Sequence, residues 1–273
     1  MWLHKRTPPH SVADAYAAYS IGRRTLDDVS QETGVSQRTW QRRFDTYKPD
    51  DPLVVVPAEP VALTFDATFF GRSYGVLVYR AEGRNIHWQE IASERLQDMA
   101  DGLRHLLAQG WRFSSVTIDG RKGAVFLINQ LMPGMPVQMC LFHQKAIIRR
   151  YLTGKPKTHC GKELQALMAF LGYIPEKLFL DCLNDLHERY AAFLKERNDL
   201  GQFMHRRLGS ALPSLRANVP CLFAHQRFPH LDIPTTTNSC DGSFAHWKAK
   251  VKIHRGLRHH RRAKMIAFLL SKS

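Results

Sequence analysis

The order of strand-like and helix-like runs is the feature that most restricts how this chain can fold. Three apolar, β-rich runs follow one another, and helical and strand patterns alternate after them. In the order strand, strand, strand, helix, strand, helix, strand, these runs cover residues 61–65, 74–80, 86–91, 94–107, 113–118, 122–131 and 137–140. Such an order predicts an α/β fold in which a mixed β-sheet has helices packed on it.

Residues from about 161 to 229 follow a different pattern. Leu164, Leu167 and Leu171 recur at helical spacing, and almost no strand signal is present in this stretch. The stretch therefore predicts a helical insertion that interrupts the mixed-sheet domain. Two further helices are predicted after it, from Asn238 to about Lys252 and from Arg262 to Leu270.

The first fifty residues predict a separate domain of three short helices. Ser11, Thr25 and Ser36 each stand where a side-chain oxygen can cap the start of a helix. A glycine turn, 33–35, separates the second helix from the third, which is typical of a helix-turn-helix. We therefore predict a DNA-binding domain at 1–50, a proline-containing linker at 51–60 and a catalytic domain at 61–273.

The third helix of this domain supplies the residues expected to read DNA. Arg and Gln side chains can bond the edges of guanine and adenine in the major groove. The candidates are Gln37, Arg38, Gln41, Arg42 and Arg43. The alternative is an ordinary helical hairpin whose basic face is merely solvated.

The charge of the chain favours a polyanionic partner. Its formal net charge is +15 with a pI near 9.9, and no acidic residue follows Asp241. Charge of one sign concentrated in one segment is typical of a phosphate-binding surface, although a basic surface that only aids solubility is the alternative. Lys248, Lys252 and Arg255 are expected to follow the DNA backbone. Trp247 is a further candidate, for stacking on an unpaired base.

The cysteines and the apolar runs indicate the compartment. Five cysteines are widely spaced and form no Cys-x-x-Cys pair, so neither a disulfide scaffold nor a cysteine-rich zinc finger is predicted. A reducing environment fits this usage. No cleavable leader and no apolar run near the roughly 18 residues of a membrane span are present. The sequence predicts a cytoplasmic protein without a membrane partner.

Two acidic residues each close an apolar run of the predicted sheet. Asp66 follows 62–65, and Asp119 follows 116–118. Because neighbouring strands lie about 4.8 Å apart, carboxylates at two strand ends can share a hard divalent cation such as Mg²⁺. Asp241, on the helix that starts at Asn238, is the expected third carboxylate. Each acid taken alone has another interpretation, as a turn former or a helix cap.

Four blocks of sequence together resemble a known family. Phe65-Asp66-Ala67-Thr68-Phe69-Phe70, Thr117-Ile118-Asp119-Gly120, Cys140-Leu141-Phe142-His143 and the segment from Thr236 to Leu257 occur in the order found in the Mutator-like transposases. The similarity is to the bacterial insertion-sequence branch and spans roughly residue 61 to the C-terminus. The preceding basic helix-turn-helix pattern also suits that branch.

The resemblance implies a fold, an activity and a set of site residues. It implies a ribonuclease-H-like mixed sheet with helices on both faces and a DDE triad that uses Mg²⁺ or Mn²⁺. Asp66, Asp119 and Asp241 would be both catalytic residues and metal ligands, beside the Cys140 and His143 signature. The activity would be cleavage of double-stranded DNA at insertion-sequence ends, followed by strand transfer into target DNA. A homodimer or higher oligomer in a nucleoid-associated cytoplasmic complex is implied as well.

The chain departs from the family pattern at two points. Asp241 stands where the family usually has Glu, which is one methylene longer, and no cysteine precedes Cys140. Two alternatives to a transposase therefore stay open: a catalytically silent, transposase-derived DNA-binding protein, and a ribonuclease-H-like nuclease without strand transfer. For His143 the alternative role is a polar cap on the helix that follows it.

Overall fold

The chain divides into two compact units. The computed structural model describes residues 11–49, 55–72, 74–254 and 256–272, without the side chain of Asp241. The larger unit comprises 56–240, and the smaller combines the described residues up to 55 with those from 241 onward. Within these described residues, no helix combines the length and apolarity needed to cross a membrane. Part of the predicted linker, 51–54, lies outside the described residues.

Thirteen α-helices and five β-strands make up the described part of the chain. In chain order they are α1 (Val12–Ser20), α2 (Leu26–Thr33), α3 (Gln37–Thr46), β1 (Val61–Phe69), β2 (Gly75–Ala81), β3 (Arg84–Ile91), α4 (Leu96–Ala108), β4 (Phe113–Ile118), α5 (Ala124–Leu131), β5 (Val137–Met139), α6 (Leu141–Leu152), α7 (His159–Ala169), α8 (Glu176–Arg189), α9 (Ala191–Lys195), α10 (Arg206–Leu222), α11 (Ala224–Arg227), α12 (Asn238–Ile253) and α13 (His259–Ser271). Thus every predicted strand and helix of the sheet region is present.

The five strands form one mixed sheet in the order β3-β2-β1-β4-β5. Strands β1, β2 and β3 pair antiparallel, whereas β4 and β5 run parallel to β1. The predicted mixed α/β sheet is therefore confirmed. Strand β1 is longer than predicted, because residues 64–69 pair with β2 as far as Phe69 opposite Gly75. Asp66 consequently lies inside the strand, and the prediction that it closes the strand is wrong.

One face of the sheet is apolar and is covered by helix α4. Phe65 and Tyr79 are paired across β1 and β2, and their ring centroids lie 5.2 Å apart. The buried Tyr79 hydroxyl donates a hydrogen bond to the carbonyl of Met99 in α4, 3.1 Å away. This contact requires a close approach of the helix, since a Cβ at Gly102 would come within 2.2 Å of the Tyr79 oxygen.

The opposite face contains a buried row of polar side chains across four strands. Thr64 is the register partner of both Arg80 and Thr117, and Thr117 is the partner of Gln138. We call these four residues the polar row. All are buried, and Thr117 and Gln138 have no exposed surface. Buried polar groups cost free energy unless they are hydrogen-bonded, so each member needs a partner inside the protein.

Two members, Thr117 and Gln138, find partners in the chain that returns to the sheet after the helical region, residues 222–237, which we call the returning segment. The Thr117 hydroxyl donates to the Pro234 carbonyl at 2.7 Å. The Gln138 amide donates to Leu222 O at 3.0 Å and accepts from His225 N at 3.1 Å. Arg80 instead bonds locally, to Asn85 Oδ1 at 2.8 Å. The returning segment therefore completes the polar face of the sheet.

The predicted insertion at 161–229 is helical in the structure. Helices α7 to α11 occupy it, and within this described stretch the β-type pairing is a single bridge between Arg197 and Phe203. Leu164, Leu183 and Leu212 are buried in its core. The apolar residues at helical spacing thus pack together as the sequence predicts.

The predicted helix starts of the smaller unit are confirmed at all three positions. The Ser11 hydroxyl accepts from the backbone N–H of Asp14, and the Ser36 hydroxyl accepts from that of Thr39. Thr25 and Asp28 form a reciprocal capping box, in which each side chain bonds the backbone N–H of the other. Such caps satisfy N–H groups that have no partner within the helix.

The core of the smaller unit joins its N-terminal helices to the last helix, α13. Trp40 and Phe44 are buried as predicted, but the cluster also includes Phe268 of α13. The ring of Phe268 lies 5.0 Å from that of Tyr16 in an edge-on arrangement. At the surface, both carboxylate oxygens of Asp45 bond the Arg261 guanidinium at 2.7 Å. The C-terminal helix is thus part of this core.

The close approach at Gly102 gives a stability prediction. Gly102→Ala should destabilise the protein by about 1–3 kcal/mol, because the added methyl overpacks the contact with Tyr79. Gly209→Ala is the matched control, since Gly209 is also helical and a Cβ there meets nothing within 4 Å. It should stabilise by roughly 0.5–1 kcal/mol. Urea unfolding measures both, and an equal or higher stability of Gly102→Ala would contradict the packing described above.

Candidate functional site

The first predicted acid, Asp66, lies on the polar face of the sheet. It follows Thr64 by two residues in β1, so both side chains point to the same face. Asp66 is only 7% exposed, and its Oδ1 accepts a hydrogen bond from the Ala67 N–H at 2.7 Å. The bond fixes one carboxylate oxygen.

The second acid, Asp119, directly follows β4 on the neighbouring parallel strand. Thr64 and Thr117 are the last paired positions of β1 and β4, and Asp66 and Asp119 each come two residues later. Asp119 Oδ1 accepts from the Arg121 N–H at 3.0 Å, so the carboxylate also stabilises the turn. The turn-former interpretation therefore applies to Asp119. The parallel pairing brings both acids to the same end of adjacent strands, and a metal shared by their carboxylates stays a prediction.

Gly120 makes the turn after Asp119 possible. Its φ is +93°, a left-handed value that residues with a Cβ rarely adopt. A Cβ there would also lie 2.2 Å from Met139 Cε on the neighbouring strand. The backbone conformation therefore favours glycine at position 120, directly after Asp119.

A third carboxylate of the larger unit, Glu94, lies in the same region and was missed by the sequence analysis. Arg121 Nη1 lies 3.7 Å from Glu94 Oε2. Burial is the largest cause that raises the pKa of Glu94, and the negative charge of Asp119 raises it further. The signal that could have found it is topological. Strands β3, β1 and β4 run in the same direction. The residues that follow β3 therefore lie at the same end of the sheet as Asp119, which follows β4.

Cys140 and His143 form a hydrogen-bonded cluster with Thr237 of the returning segment. The Thr237 N–H and hydroxyl donate to the buried Cys140 Sγ at 3.4 and 3.6 Å. The Thr237 hydroxyl also lies 3.4 Å from His143 Nδ1. Leu141 N donates to Thr235 O at 2.9 Å, which holds the start of α6 against the same segment. The signature residues thus fix the N-terminal end of α6.

The charges of this cluster are linked to those of the two acids. The hydrogen bond with Cys140 raises the pKa of His143 to about 9, and the carboxylates of Asp66 and Asp119 also contribute. Burial opposes ionisation of the Cys140 thiol, but hydrogen bonds from His143 and Thr237 outweigh it and lower its pKa. His143 is therefore a cation at neutral pH and lies within electrostatic range of both carboxylates.

The predicted third acid, Asp241, is the fourth residue of α12 and belongs to the smaller unit. Its side chain lies outside the described residues, so its role as a metal ligand stays a prediction. Among the side chains that the structure describes, no group of three His, Cys, Asp or Glu residues is placed to hold a metal ion. Trp247, also in α12, is 1% exposed. The expectation that it stacks on a base is wrong, because it packs in the core.

The residues predicted to bind DNA differ in their surroundings. Arg38, Arg42 and Arg43 of α3 are exposed, as are Lys248 and Lys252 of α12. The Gln37 amide donates to Asp27 Oδ1 at 2.8 Å, and Gln41 is half-buried. Arg255 lies outside the described residues. Within the predicted reading helix, Gln37 and the three arginines are thus exposed, and the Gln37 amide is engaged by Asp27.

A scan against protein-family models finds no matching family, and a search of curated proteins finds no match.

The Cys140–His143 hydrogen bond gives a pH prediction. His143 should titrate near pH 9, and Cys140→Ala should move its pKa toward the ordinary 6.5, because the largest cause of the shift is lost. Since the folded pKa is the higher one, the stabilisation from this group is fully present below pH 6.5 and is lost as pH rises through about 9. NMR titration of the His143 imidazole in both proteins measures this. Equal His143 midpoints in both proteins would contradict it.

Proposed function

We propose that this chain is a DNA transposase of the kind found in the bacterial branch of the Mutator-like family. One observation carries the proposal. Asp66 and Asp119 lie at equivalent positions of adjacent parallel strands, next to the Cys140–His143 pair. Within the larger unit, residues of the first three motifs and Thr237 of the fourth therefore lie in one region. The reaction would be cleavage of double-stranded DNA at the element ends, followed by strand transfer.

The architecture supports the finer fold assignment. Three antiparallel strands followed by two parallel ones, in the order β3-β2-β1-β4-β5, fit a ribonuclease-H-like sheet. Three capped helices with Gly34 at a φ of +69° between the second and third fit a helix-turn-helix. The exposed Arg38 and Arg42 on the third helix are suited to contact DNA.

The donor set fits the divalent cation that the resemblance implies. Carboxylate oxygens are the hard ligands that Mg²⁺ and Mn²⁺ prefer. Asp66 and Asp119 would hold the ion, and each has one oxygen already oriented by a backbone N–H. When bound, such an ion supplies charge stabilisation for phosphoryl transfer and activates an attacking oxygen. Asp241 would be the third ligand, on the resemblance alone.

Other side chains prepare the region for a phosphate group. His143 is cationic at neutral pH and lies within electrostatic range of Asp66 and Asp119, where it offsets part of their negative charge. Arg121 pairs with Glu94 at the same edge. Fixed cations near a phosphoryl group stabilise the charge that develops as the bond breaks. The carboxylates and the cations thus have complementary tasks.

A ribonuclease-H-like nuclease without strand transfer is the second candidate, and Glu94 favours it. Glu94 belongs to the same compact unit as Asp66 and Asp119, and its pKa responds to Asp119. A nuclease could use Glu94 as a further acid beside Asp119, although Glu94, Asp66 and Asp119 are not placed to hold one metal ion together, and it would not depend on Asp241. The two candidates therefore differ in which acid completes the site.

The proposal predicts a loss of activity from single substitutions. Asp66→Ala and Asp119→Ala should each lower cleavage by at least about 100-fold, because even groups outside the ligand sphere of metal sites contribute 10–100-fold. DNA binding should be retained. Asp181→Ala is the matched control, since Asp181 is exposed on α8 and makes no hydrogen bond or ion pair with other described residues. The measurement is cleavage and joining of flanking DNA with a supercoiled target and Mg²⁺ or Mn²⁺.

Substitutions at the two further acids separate the candidates. In a transposase, Asp241→Ala should abolish joined products, and Asp241→Glu should raise activity if the shorter side chain limits reach. In a nuclease, Glu94→Gln should abolish cleavage while Asp241→Ala leaves it intact, and no joined products form. Specific binding of the flanking DNA without any product, in the unsubstituted chain, would overturn both candidates in favour of a silent DNA-binding protein.

A further inference from the structure

Two adjoining grooves lie on the helical region of the larger unit, and Asp66, Asp119, Cys140 and His143 are not among their lining residues. One has a volume of about 370 Å³ and the other about 620 Å³. Tyr151, Arg206 and Arg207 line both, so the two grooves are continuous. We call them together the basic trough. It runs from the C-terminal end of α6, past the α6–α7 connection, to the N-terminal end of α10.

The lining of the basic trough is strongly cationic. Five Lys and Arg side chains and one His contribute to it: Arg150, Lys155, Lys157, His205, Arg206 and Arg207. No Asp or Glu is among the described residues that line it. All five Lys and Arg residues are exposed. The trough therefore presents one sign of charge to solvent.

The acidic residues nearby do not neutralise these five cations. Glu196 pairs with His205 at 2.9 Å, and Glu163 pairs with Arg189 at 2.8 Å. Within the part of the chain that the structure describes, Arg150, Lys155, Lys157, Arg206 and Arg207 form no ion pair. A surface kept only for solubility would mix both signs of charge. Unneutralised charge of one sign instead favours an anionic partner.

The start of α10 adds to this preference. This helix is 17 residues long and begins at Arg206, and its preceding residue, His205, makes no side-chain capping bond. The first N–H groups of a helix have no partner within it and create a partial positive charge. Arg206 and Arg207 therefore lie where the backbone itself favours an anion.

We propose that the basic trough binds the phosphate backbone of double-stranded DNA as a contact surface additional to the site of Asp66 and Asp119. Phosphate contacts commonly use Lys and Arg, hydroxyl side chains and helix N-termini. The trough offers all three, and its hydroxyls include that of Thr158, which accepts a bond from Gly161 N and keeps its own proton to donate. Contacts to phosphates carry no sequence information. Binding there should be independent of sequence. The choice of DNA among polyanions rests on the proposed function.

The test compares two double substitutions in the full chain. Arg206→Gln/Arg207→Gln removes two trough cations, and Lys177→Gln/Lys195→Gln removes two exposed cations from α8 and α9 that do not line the trough. Both variants have a formal net charge two below the native +15. Binding of a labelled 30-base-pair duplex of arbitrary sequence is measured by anisotropy, without divalent metal, at several salt concentrations.

The trough variant should bind at least roughly tenfold more weakly near 0.1 M salt, and the magnitude of its slope of log K against log salt should fall by about 1.8. The control variant should match the native chain. Arg206→Lys/Arg207→Lys should retain the native slope, and unfolding curves check that each variant is folded. Equal affinity and slope for the trough variant and the control would overturn the proposal. The proposal would also be overturned if an RNA duplex or polyglutamate displaced the labelled DNA more strongly than unlabelled DNA does, and if this preference were lost in Arg206→Gln/Arg207→Gln. That result would favour another partner.

This experiment fails separately from the test of the proposed function. A chain that binds the duplex through the trough but cuts no DNA supports the trough and overturns the transposase. If the chain cuts DNA but the Arg206→Gln/Arg207→Gln variant binds the duplex as tightly as the native chain, only the proposal for the basic trough is overturned.

Discussion

The hydrogen bond from the Thr117 hydroxyl to the Pro234 carbonyl is the contact on which the larger unit depends. It belongs to a row of polar side chains buried across four strands, and a buried polar group without a partner would cost on the order of 1–3 kcal/mol. Gln138 is satisfied by the same returning segment, through Leu222 and His225. The polar face of the sheet is therefore stable only when the chain comes back from the helical region and covers it.

The same segment organises the candidate site. Three residues beyond Pro234, Thr237 donates to Cys140 and contacts His143, and Thr235 accepts a bond from the start of α6. His143 in turn lies within electrostatic range of Asp66 and Asp119. The returning segment thus hydrogen-bonds both Thr117 and Gln138 of the polar row and the Cys140–His143 pair, and His143 is linked to the two acids electrostatically. The Cys140–His143 spacing serves this arrangement, because it places both side chains at the N-terminal end of one helix.

What the sequence could predict depends on how local the determining interaction is. The helix starts at Ser11, Thr25 and Ser36 were predictable, since a cap and its N–H lie within three residues. The strand order depends on pairing between strands, which local patterns do not contain. Glu94 and the packing of Phe268 were missed, and the contacts of Thr237 were not foreseen although its segment was singled out, because topology brings these residues to their partners. The DNA-related roles and the contribution of Asp241 stay predictions.

The bond between Thr117 and Pro234 spans 117 residues of sequence, and this separation affects how the protein forms during synthesis. All five strands leave the ribosome well before residue 234 does. The polar face of the sheet is therefore uncovered until the returning segment has been synthesised. The core of the smaller unit is completed later still, because Tyr16 packs against Phe268, which is synthesised near the end of the chain. Contacts of such separation are slow to form, and exposed surface in the interval promotes aggregation. Chaperones present during this interval thus oppose the aggregation that this order of synthesis promotes.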